Sequence, residues 1–189
     1  MGLGGYITSL FEGDEVHVTI LRGGEEKNVT FPVSPIKSLV PSHFSNAPPP
    51  YLVCSGLIFT ALSVPYLEAK GAWSDFYTES ISHLLGLVRA PLEKEGDEVV
   101  ILAQVLAHPE NLGYENCLDL HLLKFNGVRV RSLRHLHELI SDCCDPFMAF
   151  EFAPHDGGKL VVLSSERNDQ VTKEICSEHS IGRPFVLRE

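Results

Sequence analysis

The sequence predicts an α+β fold, a small β-barrel or sandwich flanked by helices and preceded by a lone hairpin. Three observations carry that expectation. Short apolar runs are punctuated by turn-forming residues, a few stretches space their apolar residues helically, and a proline-rich stretch separates a small N-terminal segment from the rest. The expected division is residues 1–34 as an incomplete N-terminal segment, 35–50 as linker, and 51–189 as the main domain.

In chain order, Tyr6, Ile7, Leu10 and Phe11 fall at helical spacing and end at Gly13, a plausible C-cap. Residues 14 to 34 read as a hairpin: Val16, Val18 and Ile20 alternate on one strand, Val29, Phe31 and Val33 on the other, around Arg22-Gly23-Gly24-Glu25. One hairpin cannot bury a core. Pro35, Pro41 and the run Pro48-Pro49-Pro50 force extended backbone through the linker.

The main domain opens with a strand at Leu57-Ile58-Phe59, continuing to Ala61 and Leu62 and entered through Ser55-Gly56. Ile81, Leu84, Leu85 and Val88 make a helical stripe ended by Pro91, and Glu98 to Leu106 is a near-continuous apolar run expected as a buried strand. Asn126-Gly127, between Leu118–Phe125 and Val128–Val130, is the strongest short hairpin signal. Ser132 can cap a helix with the stripe Leu133, Leu136, Leu139 and Ile140. Two strands, Phe147–Phe152 and Leu160–Leu163, surround the Asp156-Gly157-Gly158 turn, and a last helix carries Val171, Ile175 and His179.

Composition narrows the function classes. The 189 residues are 44% hydrophobic with a formal charge of −10, so a globular chain is expected, and its acidity without a lysine-arginine run argues against nucleic acid as a direct ligand. No apolar stretch approaches the roughly 20 residues of a bilayer span. Five cysteines, Cys54, Cys117, Cys143, Cys144 and Cys176, fit reduced thiols better than a disulfide framework. His135 and His137, two apart on a helix, face different sides and cannot easily share a metal. Nothing marks one cysteine as the nucleophile of a Cys/His hydrolase, which stays as the enzymatic alternative. Asn28-Val29-Thr30 is a chance-level sequon, and Gly2-Leu3-Gly4-Gly5 lacks the rest of a nucleotide fingerprint.

The stretch Leu123-Lys124-Phe125-Asn126-Gly127-Val128-Arg129-Val130-Arg131-Ser132-Leu133 resembles the strand, turn, strand and helix start of a PDZ domain. Together with Leu39-Val40-Pro41, Pro49-Pro50-Tyr51, Gly56-Leu57-Ile58-Phe59, Val64-Pro65-Tyr66-Leu67 and Asn111-Leu112-Gly113-Tyr114-Glu115, it is similar to the second PDZ domain of plant-type organellar and nuclear Deg/HtrA proteases. The 14–34 hairpin is similar to the closing strands of the preceding PDZ domain, within which the chain is expected to begin. The resemblance implies a peptide- or unfolded-segment-binding and assembly module of an ATP-independent serine endopeptidase, acting in a homo-oligomer of Deg subunits and needing no cofactor. It points to chloroplast, mitochondrion or nucleus. Family members carry a trypsin-like triad and a Gly-Asn-Ser-Gly-Gly loop. The pairs Gly4-Gly5, Gly23-Gly24 and Gly157-Gly158 are preceded by Leu3, Arg22 and Asp156, so no nucleophile serine stands here. A catalytically inactive adaptor fragment is the other reading.

A PDZ groove adds a peptide as an extra strand and captures its carboxylate with backbone N–H groups after a glycine turn. By the resemblance, Gly56, Leu57, Ile58 and Phe59 supply strand and turn, and Leu133, Leu136 and His137 the helical wall. Ile58 stands where the archetypal loop prefers glycine, and a β-branched residue there disfavours a carboxylate nest. The resemblance ties this second PDZ domain to oligomer assembly, which implies an internal or neighbouring segment as occupant.

Overall fold

A computed structural model describes residues 10–34, 38–43, 47–71, 78–154 and 158–188. Tyr6 and Ile7 of the expected first helix, the centre of the Asp156-Gly157-Gly158 turn and parts of the 35–50 linker lie outside the described residues. The chain divides into two units, Met1–Lys37 and Ser38–Glu189.

The first unit contains the hairpin. Strands β1 (Glu15–Arg22) and β2 (Glu25–Pro32) pair antiparallel from Glu15↔Pro32 to Arg22↔Glu25. Gly23 and Gly24 form the two-residue turn at φ +65° and +81°, a left-handed geometry that matches strand twist. Cross-strand hydrogen bonds reinforce the register: Thr19 donates to the Asn28 side-chain carbonyl at 2.7 Å, and the His17 ring meets the Thr30 hydroxyl at 2.8 Å. Within this unit Val16 is buried, whereas Val29 and Phe31 are exposed.

The second unit is the α+β domain. Its strands are β3 (Tyr51–Cys54), β4 (Leu57–Ala61), β5 (Val100–Val105), β6 (Leu120–Phe125), β7 (Val128–Arg129), β8 (Phe147–Phe152), β9 (Leu160–Ser164) and β10 (Phe185–Val186). Its helices are α1 (Val64–Ala69), α2 (Glu79–Leu87), α3 (Leu133–Ser141) and α4 (Asn168–Glu178). The strands form one sheet in the order β10-β3-β4-β5-β6-β8-β9, with β7 paired to β6. Leu52 of β3 and Leu163 of β9 stand near opposite ends of this path yet share one core with Phe59, Leu102 and Leu122. The sheet therefore curls around a common interior, as the expected small barrel does.

Three phenylalanines organise that interior. Phe150 lies 5.2 Å from both Phe59 and Phe125, stacked on the first and edge-on to the second, and all three are buried. Helix α3 plugs one open side with Leu133 and Leu136. Its start follows the expected cap: the Ser132 hydroxyl accepts from the His135 amide at 3.1 Å, and the Glu98 carboxylate accepts from the Leu133 amide at 2.9 Å. Helices α1 and α2 cover the other face of β5 through Leu67, Ile81 and Leu84 against Ile101. Helix α4 closes a third cluster with Val171 and Ile175 against Leu106. Among the described residues no helix is long and apolar enough to cross a membrane.

Candidate functional site: an edge strand facing a helix

Strand β3 positions the site. One of its edges pairs with β4, from Tyr51↔Thr60 to Cys54↔Leu57. The other edge faces helix α3 across a groove, and residues 183–188 of the same chain run along that groove. Phe185 pairs antiparallel with Leu52 and Val186 with Tyr51, while the Val53 amide donates to the Pro184 carbonyl at 2.7 Å. The Tyr51 hydroxyl donates to the Arg183 carbonyl at 3.0 Å. From the helix side, the His137 ring sits 4.3 Å from that of Phe185, and the Arg134 guanidinium donates to the Arg188 carbonyl. Leu187 packs on the main core.

The residues expected at the site divide between groove and interior. Gly56 closes a two-residue hairpin between β3 and β4, with Ser55 at φ 45° and Gly56 at φ +88°. Leu57, Ile58 and Phe59 are thereby carried one strand inward, with β3 on one side and β5 on the other (Leu57↔Val105, Ile58↔Gln104, Phe59↔Leu102). Leu57 and Phe59 are fully buried, and Ile58 packs toward α4. An added strand could reach this position only by breaking the β3–β4 or β4–β5 ladder, whereas the outer side of β3 carries only the two pairs to β10. The backbone that meets the extended segment is Tyr51–Val53. On the helix, Leu133 and Leu136 point into the core, whereas His137 lines the groove.

The groove residues missed in the sequence are Tyr51, Leu52, Val53 and Arg134. Ser55-Gly56 between two apolar runs was the available signal, since that dipeptide suits a two-residue turn. The chain enters β3 through Pro48-Pro49-Pro50, three residues without an amide hydrogen, and the Pro50 carbonyl is held by the Thr60 hydroxyl at 2.6 Å.

Buried polar groups lock the back of β3. The Ser55 amide donates to the Thr172 hydroxyl at 2.8 Å and the Ser55 hydroxyl to the Asn168 side-chain Oδ1 at 2.9 Å, tying the hairpin turn to α4. Asn111, fully buried, donates to the carbonyls of Ser55 and Leu106 at 2.9 and 2.8 Å and accepts from the His108 amide at 3.0 Å. These bonds satisfy groups that burial would otherwise penalise.

The Cys54 thiol is pushed well above its ordinary range by burial, then by Asp169 and Cys143. Such a thiol stays protonated, the opposite of an activated nucleophile. In the unfolded chain it titrates near about 8.5, so its stabilising contribution is complete below that value and is lost as pH rises toward the folded value. The Tyr66 phenol, raised by burial and by its hydrogen bond to Asp119, acts in the same direction. Unfolding free energies from urea titrations are expected to fall between about pH 8 and pH 10, by up to about 1.4 kcal/mol per pH unit for Cys54 alone, and the midpoints with them. A midpoint that holds or rises over that window would contradict the burial of Cys54.

A second concavity of about 560 Å³ sets Glu93, Asp97 and Glu98 against Lys124, Arg129 and Arg131. Its described lining contains no hydroxyl or thiol nucleophile. Among the described residues no three of His, Cys, Asp and Glu gather as a metal cluster, and the His135 Nδ1 accepts from the Arg131 amide at 3.3 Å.

Comparison with known proteins agrees with this architecture. Residues 40–185 match the PDZ domain family. The chain is 34% identical over 177 residues to Protease Do-like 2, chloroplastic, of Arabidopsis thaliana, covering 93% of this chain and 28% of that protein. It is 30% identical over 170 residues to Putative protease Do-like 3, mitochondrial, of the same organism, covering 90% and 28% respectively. With Protease Do-like 4, mitochondrial, also of Arabidopsis thaliana, the identity is 29% over 93% of this chain and 30% of the relative. The chain thus spans less than a third of the length of these curated relatives.

Proposed function

The chain belongs to the Deg/HtrA family of Do-like proteases, carrying a PDZ domain over residues 40–185, and we propose that its β3–α3 groove binds extended peptide segments for that protease. The observation that carries this reading is the antiparallel seating of residues 183–188 against β3 and beneath His137. Strand addition supplies affinity through main-chain hydrogen bonds, which any extended sequence can make.

The groove favours internal segments over free C-termini. Carboxylate capture needs backbone N–H groups converging before the edge strand, and Pro48, Pro49 and Pro50 have none to offer. The domain also acts in assembly with other subunits of its kind. Phe147, Leu160 and Val162 share one outward face of β8 and β9 and are exposed, an apolar patch suited to a protein partner. Catalysis is assigned to the longer protease in which such a domain works, and a catalytically inactive adaptor would use the same groove.

Titrating isotopically labelled chain with end-capped peptides tests the peptide reading. Amide shifts are expected at Tyr51–Cys54 and on the His137 face of α3, with capped and free-acid forms of one peptide binding within about twofold because no carboxylate nest contributes. Shifts centred on residues 57–59, or a strong preference for the free acid, would overturn it.

A further inference from the structure

We infer that the segment Arg183–Arg188 is a resident intramolecular ligand of the β3–α3 groove, so that an incoming peptide gains the groove only by displacing it. This rests on reading the groove as a peptide site, and it adds a gate to that reading.

The segment is attached as a bound peptide would be. Its described polar contacts to the domain run to the two walls: main-chain pairing with Leu52 and Tyr51, the Val53 amide to the Pro184 carbonyl, the Tyr51 hydroxyl to the Arg183 carbonyl, and Arg134 to the Arg188 carbonyl. Each of these bonds goes to the segment's backbone, which a different sequence could reproduce. Side-chain preference enters through Phe185 on His137 and Leu187 on the core. A competitor of the same class is an extended segment with an aromatic residue opposite Leu52 and an aliphatic residue two positions on.

The anchoring changes abruptly at Gly182. Helix α4 ends at Glu178, Ser180 turns the chain at φ 56°, and Ile181 is fastened by its amide to the Cys176 carbonyl at 2.8 Å and by packing on the α4 cluster. Beyond it, Gly182, Arg183, Pro184 and Phe185 are exposed, and β10 contributes only two ladder pairs. Val186, Leu187 and Arg188 are half-buried, and a few main-chain bonds with this partial burial make a weak contact. A tether of a few residues from a fixed point nevertheless supplies an effective concentration in the millimolar range, enough to keep a weak ligand seated. Exchange between resident and incoming segments then needs no change in the rest of the fold.

The test compares the intact chain with its full-length Phe185→Asp variant. The probe is a fluorescein-labelled, amidated peptide of the sequence Gly-Arg-Pro-Phe-Val-Leu-Arg-Glu, followed by anisotropy. The variant is expected to bind it at least about tenfold more tightly than the intact chain, because the internal competitor is weakened. In the intact chain, amide exchange at Phe185 and Val186 should be much faster than at Phe59. Equal, saturable affinity for intact and variant chains, with shifts at Tyr51–Cys54, overturns the gate and leaves the peptide site standing. No binding by a folded variant overturns both. A fall in melting temperature beyond about 10 °C in the variant, or exchange at Phe185 as slow as at Phe59, makes the segment a structural strand and overturns the gate.

Discussion

Replacing Gly56 with alanine is expected to destabilise the 38–189 unit by about 2–5 kcal/mol, lowering its melting temperature by on the order of 10 °C. Two costs add. Gly56 sits at φ +88°, where an L-residue loses about 1–2 kcal/mol. A Cβ there would also lie 2.5 Å from the Leu106 carbonyl oxygen and 3.0 Å from Ile175 Cδ1, and closer still to the Asn111 amide nitrogen. Two of these obstacles are a strand-end carbonyl and a fully hydrogen-bonded buried amide, neither free to retreat. Gly127 provides the control: its φ is +77° but nothing lies within 4 Å of the added carbon, so Gly127→Ala should cost only the backbone part, about 1 kcal/mol. Adding Asn111→Ala to Gly56→Ala should bring no rescue. The Leu106 carbonyl still blocks the methyl group, and the Ser55 carbonyl and His108 amide lose the partner that Asn111 provides. Urea unfolding of the parent and these three variants checks the set. A Gly56→Ala chain within about 1 kcal/mol of the parent would mean that the turn is not packed in this way.

The same turn explains how far the sequence could be read. Local signals were legible where chemistry at neighbouring positions decided the structure. Asn126-Gly127 makes the β6–β7 hairpin, Ser132 caps α3, and the apolar run after Glu98 becomes β5. Helix α1 escaped notice because Pro65 looks like a breaker, yet Ser63 caps this helix and a proline in the first turn removes no intrahelical bond. Ser55-Gly56 suggests the entrance to a strand, yet the apolar Tyr51–Cys54 before it is a strand as well. That single displacement moved the expected peptide edge from β3 to β4. Resolving it requires knowing which edge the sheet leaves open, and here the deciding partner is a two-residue strand more than 130 positions away. Two residues carry no periodicity, and Pro184 before them suggests loop. Asn111 was equally silent, since an asparagine in a connecting segment is ordinarily solvated and only tertiary packing buries it.

Leu136→Ala and His137→Ala, one residue apart, are expected to have opposite consequences. Leu136 is fully buried among the β-sheet core residues, so its truncation should cost about 2–5 kcal/mol, the second large effect expected here. His137 lies about 100° further around α3, half-buried against Phe185, and its truncation should leave stability within about 0.5 kcal/mol. For binding the order reverses, but only in the right background. In the intact chain His137 holds the resident Phe185 and would hold an incoming aromatic residue alike. Removing it weakens both, and the apparent affinity for a peptide should barely change. With Phe185→Asp already in place only the incoming contact remains, so His137→Ala should then lower affinity several-fold, as loss of one aromatic contact does. Urea midpoints and anisotropy titrations on the three single variants and the His137/Phe185 double variant separate these effects. If Leu136→Ala were neutral, α3 would not plug the core; if His137→Ala weakened binding equally in both backgrounds, the resident segment and the incoming peptide would not compete for the same face of that helix.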